Sequence, residues 1–79
     1  MQVDTKRDMT VDELQVGEQS FIAQFDSARL EAKLLAMGIL PGKPLEVIRR
    51  SALGHTLYIK VDGRLLALRK SEAACIQVK

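Results

Sequence analysis

Residues 27–42 read SARLEAKLLAMGILPG, the one stretch of this 79-residue chain in which apolar residues recur with the period of a helix. Ser27 suits the N-cap position, because its hydroxyl can accept a hydrogen bond from an N–H that the first helical turn leaves unpaired. Three apolar side chains recur at intervals of four and three residues and so share one face: Leu30, Leu34 and Met37. We predict a helix over about residues 27–37 that buries this face.

The end of this helix is as well marked as its start. Gly38 can adopt the left-handed conformation that terminates a helix, and Ile39 just beyond it is placed to contact Leu34. The next four residues, Leu40 to Lys43, carry Pro-Gly in the middle, as a type II turn requires. The chain should therefore reverse direction directly after the helix.

Strand patterns account for most of the remaining chain. Aromatic and β-branched residues, alternation and turn signals predict five strands, over residues 18–25, 44–51, 56–61, 64–68 and 75–78. Asp62-Gly63 is a strong signal for a two-residue hairpin between the third and fourth of these strands. Leu57, Ile59 and Val61 alternate with polar residues and should face the core.

The pattern allows two choices for the inward face of the first strand. Either Phe21, Ala23 and Phe25 point inward, or the alternative set around Ile22 does. We favour the phenylalanines.

Five short strands and one inserted helix predict an α+β, mostly β fold, a small five-stranded barrel. Barrel closure would protect the strand edges of so small a chain. Short helical turns are predicted near residues 10–14, where Thr10 and Glu13 have capping-box spacing, and near residues 71–74. Residues 1–9 show no periodicity and are expected to be flexible, which leaves residues 10–79 as a single domain.

Composition excludes several functional classes. Twelve basic and ten acidic residues give a net charge of +2, and the chain lacks tryptophan, so a nucleic-acid-binding barrel is the weaker alternative. Cys75 is the only cysteine, which rules out an internal disulfide. No apolar run approaches a membrane span and no secretory leader is present. We expect a cytoplasmic protein, a monomer or weakly self-associating, that meets a membrane only through a partner.

The sequence offers little for catalysis or metal binding. His55 and Cys75 are the only histidine and thiol, and Cys75 in apolar company is more typical of a core residue than of a nucleophile. The chain has no CxxC or HxxxH spacing. We predict no enzymatic activity, no cofactor and no bound metal.

Surface contact is therefore the expected mode of action. Leu35 lies off the core face of the helix, either covered by loops, which we favour, or exposed to a partner. Basic residues cluster at strand ends, where they form either a solvated rim or a binding patch: Arg49, Arg50, Arg64, Arg69 and Lys70. The candidate partner-binding residues are Leu35, Ile39, Leu40, Pro41, Gly42, Arg49 and Arg50.

Several runs taken together resemble a known family. They are LLAMGILPG at residues 34–42, LEVIRR at 45–50, Leu53-Gly54, and LALRKSEA at 66–73 with Leu65 before it. In this order they resemble the ferrous iron transport protein A family, FeoA. The resemblance extends over roughly residues 10–78 and implies a cytoplasmic protein with an SH3-like β-barrel, a module that also occurs at the C-terminus of iron-dependent repressors.

The resemblance also implies a partner. FeoA proteins are expected to act with FeoB, a membrane ferrous iron transporter with a cytoplasmic GTP-binding domain, in iron homeostasis. The implied function is that of an accessory protein that binds and regulates this cytoplasmic part. An alternative is a GTPase activator that inserts an arginine into the nucleotide site, for which Arg49, Arg50 and Arg64 are candidates.

Overall fold

The computed structural model describes residues 9–79, which form one antiparallel sheet with two short helices and a 3-10 turn. The elements in chain order are β1 (Met9–Thr10), the 3-10 turn (Val11–Glu13), β2 (Gln19–Phe25), α1 (Ala28–Ala36), β3 (Pro44–Arg50), β4 (Thr56–Val61), β5 (Arg64–Arg69), α2 (Lys70–Ala73) and β6 (Ile76–Val78). None of the helices in this part of the chain is long and apolar enough to cross a membrane.

The sheet is organised around β2, which pairs with a different strand along each half. Its first half, Gln19 to Phe21, pairs with β3, and its second half, Ile22 to Phe25, pairs with β6. The full order is β1-β6-β2-β3-β4-β5, with every pair antiparallel. Because β2 pairs with β3 along one half of its length and with β6 along the other, the sheet can bend around one core.

The structure has six strands where the sequence predicted five. The additional strand is β1, which pairs with β6 through Met9 and Val78. Two residues are too few to show an alternating pattern, so the strand was missed. The outer strands of the sheet are β1 and β5, which are not paired with each other anywhere in residues 9–79, and closure into a barrel is therefore not confirmed.

The predicted flexible segment, residues 1–9, lies outside the described residues except for Met9 in β1. The predicted helical turns are confirmed as the 3-10 turn and α2. The Thr10 N–H donates to Glu13 Oε1 at 2.8 Å, so the glutamate half of the predicted capping box is in place.

Helix α1 begins and ends where the sequence predicted. The Ser27 hydroxyl accepts a hydrogen bond from the Leu30 N–H at 3.2 Å. Leu30 and Leu34 are buried, and Met37 is half-buried against the same core. At the C-terminus the Gly38 N–H donates to the Leu35 carbonyl and the Ile39 N–H to the Leu34 carbonyl, both at 2.9 Å. With Gly38 at φ +80°, this is a Schellman motif.

The Pro-Gly turn after the helix is anchored to β2. The Lys43 N–H donates to the Leu40 carbonyl at 3.3 Å and Gly42 has φ +93°, which confirms the predicted type II turn. Two further bonds connect the turn to Ile22: the Gly42 N–H donates to the Ile22 carbonyl at 2.7 Å, and the Ile22 N–H donates to the Lys43 carbonyl at 3.0 Å. The turn is therefore a fixed part of the sheet.

The predicted hairpin joins β4 and β5. Asp62 and Gly63 both have positive φ, 53° and 84°, as a type I′ turn requires. Leu57, Ile59 and Val61 are buried, as predicted. They belong to a single aliphatic core with Val11, Leu14, Ile22, Leu30, Leu34, Ile39, Leu45, Val47, Leu68, Ala73, Ile76 and Val78.

The preferred inward set of the first strand was wrong at Phe21 and in leaving out Ile22, whereas Ala23 and Phe25 are half-buried. Ile22 is buried, with 1% of its surface exposed, whereas Phe21 is 52% exposed. Phe25 is partly buried against the core, three residues from Ile22. The register of β2 and β6 shifts between Ile22 and Gln24, and this irregularity lets residues at odd spacing face the same side. Strict alternation therefore cannot assign this strand.

Alanine substitution should separate these two neighbouring residues. We expect Ile22→Ala to lower the free energy of unfolding by about 2–5 kcal/mol, because it leaves a cavity in the core. We expect Phe21→Ala, on the solvent side, to cost less than about 1 kcal/mol. Urea denaturation monitored by circular dichroism measures both, and a larger loss for Phe21→Ala would contradict this assignment.

One carboxylate connects α2 to two other elements. Glu72 accepts the Arg69 N–H at 2.9 Å through Oε1, and its Oε2 lies 3.5 Å from Lys33 Nζ of α1. The hydrogen bond from the Arg69 backbone lowers the pKa of Glu72 below its ordinary value of 4.5, and the positive charge of Lys33 adds to this effect.

This lowered pKa predicts a pH-dependent stability. A carboxyl whose pKa is lower in the folded state stabilises the fold above its unfolded pKa, and this contribution is lost as pH falls through the folded pKa. We expect Glu72→Gln to be less stable than the parent protein at pH 7 and the difference to shrink steadily below about pH 4.5. Urea denaturation at a series of pH values tests this; a difference that does not change with pH would contradict it.

Candidate interaction surface

The end of α1 and the following turn carry exposed apolar residues close together in the sequence. Leu35 and Leu40 are 42% and 43% exposed, and Pro41 and Gly42 are exposed beside them. We call these four residues the helix–turn surface. Leu35 is therefore exposed, and the favoured interpretation, that loops cover it, was wrong.

Side chains of the β4–β5 hairpin contact the chain next to the helix–turn surface. The Arg64 guanidinium, at the start of β5, donates to the Met37 carbonyl, one of the acceptors that the helix end leaves free. A Cβ built at Gly38 would lie 3.6 Å from Nη1 of the same arginine. Lys43 Nζ lies 3.4 Å from Asp62 Oδ2 in the hairpin. The tip of the β4–β5 hairpin thus supports the segment that carries Leu35 and Leu40.

Helix α1 extends the apolar surface in a way that sequence reasoning missed. Ala28, Ala32 and Ala36 recur every four residues and are all exposed, and Ala28 and Ala32, seven and three residues before Leu35, lie on the same side of the helix as Leu35. The four-residue spacing was visible in the sequence, but alanine carries little hydrophobic signal. Small side chains here leave the helix backbone accessible to close contact.

Not all of the residues predicted to bind a partner lie on the helix–turn surface. Ile39 is only 1% exposed, because the Schellman motif directs it into the core below the turn. Arg49 and Arg50 lie at the opposite end of β3, roughly 20 Å from Pro44 at strand spacing. The predicted candidates therefore divide into an apolar group beside the turn and a basic pair far from it.

The two arginines of β3 differ from each other. Arg50 is half-buried, and its Nη2 donates to the carbonyl oxygens of Asp12 and Leu14 at 2.8 and 2.5 Å, which fixes the 3-10 turn against the sheet. Arg49 is exposed, and its guanidinium lies 4.6 Å from the centre of the Tyr58 ring. Arg50 is thus a structural residue, whereas Arg49 presents its charge on the outer face.

A second surface feature is a groove on the outer face of the sheet. Phe21 of β2 lies directly opposite Pro44 of β3, and the groove continues past Glu46 and Lys60 to the β4–β5 turn. Phe21, with 52% of its surface exposed, is the one aromatic residue of its lining. None of the candidate partner-binding residues predicted from the sequence lines this groove.

The remaining reactive groups are not assembled into a site. The Cys75 thiol donates to the Ser71 carbonyl at 3.5 Å and is half-buried against the core. The His55 carbonyl accepts the Lys70 N–H at 2.9 Å. Among residues 9–79, no group of three or more histidine, cysteine, aspartate or glutamate side chains is placed to hold a metal ion.

Comparison with known proteins identifies the family. The model of the FeoA domain matches residues 9–79, which is nearly the entire chain. The chain belongs to the FeoA family. This family is associated with ferrous iron transport, and the match confirms the resemblance seen in the sequence.

Solved structures agree with this assignment. The FeoA protein from Chlorobium tepidum is 28% identical, with 89% of this chain and 68% of that chain covered at a TM-score of 0.83. FeoA from Stenotrophomonas maltophilia, solved with zinc and described as a prokaryotic SH3 domain protein, is 22% identical, with 90% and 89% covered at a TM-score of 0.79. The second likeness shows the fold, which is SH3-like.

A repressor shares the same fold. A manganese-dependent transcriptional repressor is 20% identical and matches 98% of this chain with 44% of its own at a TM-score of 0.81. Only part of that protein therefore resembles the FeoA chain. The shared fold alone does not distinguish a transport accessory from a regulatory module.

The different roles of Arg49 and Arg50 can be tested by stability. We expect Arg50→Ala to lower the free energy of unfolding by about 1.5–3 kcal/mol, because two backbone carbonyls lose a charged donor. Arg49→Ala is the matched control and should cost less than about 1 kcal/mol, since it removes an exposed cation–π contact. Equal losses in thermal or urea unfolding would contradict the structural role of Arg50.

Proposed function

We propose that this FeoA protein is a non-catalytic accessory protein of ferrous iron uptake that binds the cytoplasmic GTP-binding part of a FeoB-type transporter. The helix–turn surface is the proposed contact site. In this function the protein works in the cytoplasm and reaches the membrane through its partner only. The observation that carries the proposal is the pair of exposed leucines, Leu35 and Leu40, on a rigid segment of a family associated with ferrous iron transport.

Rigidity favours this surface as a binding site. Binding a flexible loop costs conformational entropy, which reduces the free energy left for affinity. Here the turn is bonded to Ile22 by two backbone hydrogen bonds, and the helix end is capped and contacted by Arg64. The backbone that carries the two leucines is thus held by contacts within the protein before any partner binds.

The apolar character of the surface also fits a protein partner. Leu35, Leu40 and Pro41 are exposed next to alanines of α1, and the charges of Lys43 and Asp62 beside the turn pair with each other. Burying a leucine that is about 40% exposed contributes roughly 1 kcal/mol. A partner would need a complementary apolar patch rather than a strongly charged one.

Binding of this kind can regulate the partner only through unequal affinity. A domain without catalytic groups changes the populations of its partner's states only if it binds one nucleotide state more tightly than another. A difference of about 1.4 kcal/mol between the two affinities shifts the equilibrium tenfold. The proposed regulation is therefore measurable as nucleotide-dependent affinity.

The second candidate function is activation of GTP hydrolysis, and Arg49 is the residue that favours it. Arg50 and Arg64 are bonded to backbone carbonyls within the protein, whereas the Arg49 guanidinium lies exposed over Tyr58. A free arginine could neutralise transition-state charge in a nucleotide site. An adaptor and an activator differ in one readout, since only the activator changes the hydrolysis rate.

The binding proposal predicts a specific loss of affinity. The double variant Leu35→Ser/Leu40→Ser should weaken binding to the FeoB cytoplasmic region about thirtyfold, because roughly 2 kcal/mol of apolar burial is removed. Isothermal titration with the partner in its nucleotide-free, GDP-bound and GTP-analogue-bound states measures this effect. GTP hydrolysis with the parent protein and with Arg49→Ala, in the same samples, separates the adaptor from the activator.

Leu53→Ser is the matched control, because Leu53 is highly exposed in the loop between β3 and β4. It should bind as the parent protein does. Absence of binding in every nucleotide state would overturn the proposed function. A loss for Leu53→Ser equal to that of the double variant would move the contact site away from the helix–turn surface.

A further inference from the structure

Strand β5 is an outer strand of the sheet, and its backbone pairing is known residue by residue. The two-residue turn makes Val61 and Arg64 the first hydrogen-bonded pair of the hairpin, so bonded pairs recur at every second position. Continuing this alternation past the strand end places His55 opposite Lys70, and the Lys70 N–H indeed donates to the His55 carbonyl at 2.9 Å. The backbone groups of Leu66 and Leu68 therefore face β4.

The backbone groups of the alternate residues of β5 point in the opposite direction. The N–H and carbonyl groups of Leu65, Ala67 and Arg69 point away from β4, toward the open side of the sheet. The Arg69 N–H is bonded to Glu72 Oε1 at 2.9 Å, which confirms this direction and protects that end of the strand. For Leu65 and Ala67, no strand or loop of the part that the structure describes pairs with this side.

The centre of β5 also lacks the usual protection of an edge strand. Natural edges carry charged residues, proline, a bulge or a very short strand, each of which discourages pairing with another chain. The central residues of β5 are Leu65, Leu66, Ala67 and Leu68, with arginine only at the two ends. Leu65 is 71% exposed on the outer face. A six-residue strand of this kind is a template for one more strand.

We infer that β5 pairs with β5 of a second copy of this chain, antiparallel about a two-fold axis at Leu66. In this register Leu65 lies opposite Ala67 of the second copy, and Ala67 opposite its Leu65. Each pair exchanges two backbone hydrogen bonds, so the symmetric contact makes four. It also places the exposed Leu65 side chain against Ala67 of the other copy.

Charge selects this register over the neighbouring ones. With the axis at Leu66, Lys70 at the start of α2 comes beside Asp62 of the second copy, whose carboxylate is about half exposed even though it contacts Lys43. The Glu72 carboxylate lies on the same side, but it is already bonded to the Arg69 N–H and lies 3.5 Å from Lys33 Nζ. Moving the axis to Ala67 would place Lys70 beside Arg64 of the second copy, and like charges in that position repel. Moving it to Leu65 would leave Lys70 beyond the hairpin tip, without an opposite charge.

The first test is sedimentation equilibrium of the full chain over a wide range of concentration, with Ala67→Pro as the variant. Proline removes the outward N–H of Ala67 and no bond to β4, so an edge strand tolerates it. We expect the association constant to fall about tenfold, because two of the four hydrogen bonds are lost. Ala52→Pro is the matched control. Ala52 is the second residue of a turn in which the Gly54 N–H donates to the Ser51 carbonyl, and proline is favoured at this position.

The second test follows amide hydrogen exchange by NMR at low and high protein concentration. The Leu65 and Ala67 amides should gain protection as concentration rises, whereas the Leu66 and Leu68 amides, already bonded to β4, should not change. This readout does not depend on any variant and would remain valid if Ala67→Pro failed to fold.

The third test fixes the register through the sign of one effect. Lys70→Glu should weaken association, because the new carboxylate faces Asp62 of the second copy; with the axis at Ala67 it would face Arg64 and strengthen association instead. Strengthening would overturn the register. A monomer at millimolar concentration, or a dimer unaffected by Ala67→Pro, would overturn the pairing itself. Binding to FeoB is tested separately at the helix–turn surface, so failure of either proposal leaves the other distinguishable.

Discussion

The left-handed conformation of Gly38 determines how the apolar residues near the end of α1 are divided between core and surface. A residue with a Cβ would be strained at φ +80°, so the helix stops at this glycine. The Schellman bonds that follow direct Ile39 inward, and the chain then leaves the core at Leu40 and returns through Gly42 to Ile22. Leu35 and Leu40 are consequently exposed on either side of a buried isoleucine.

Two arginines also show that the backbone determines which side chains are available at the surface. Arg64 caps the free carbonyl of Met37, and Arg50 holds the carbonyls of Asp12 and Leu14, so each satisfies acceptors that short elements leave unpaired. These charges are therefore part of the fold. The two surfaces proposed for contact are apolar side chains at the helix end and backbone groups along β5, which is consistent with a protein that acts by binding.

Local rules predicted the parts of this fold whose causes lie within a few residues. The cap at Ser27, the stop at Gly38, the type II turn and the Asp62-Gly63 hairpin each depend on neighbours three or four positions away. The inward face of β2 does not, because a register shift against β6, more than fifty residues later, decides it. The role of Arg50 was equally hidden, since its acceptors lie 36 and 38 residues before it. Exposure of Leu35 and burial of Ile39 also required the assembled core.

The hairpin tip lies between the helix–turn surface and the open side of β5, because Asp62 contacts Lys43, the residue after Gly42, and in the proposed dimer faces Lys70 of the second copy. This shared carboxylate is the direct connection between the two surfaces. An exposed ion pair contributes at most about 1 kcal/mol, so competition for Asp62 changes either affinity by roughly fivefold or less. Through this ion pair, self-association and partner binding are therefore only weakly coupled.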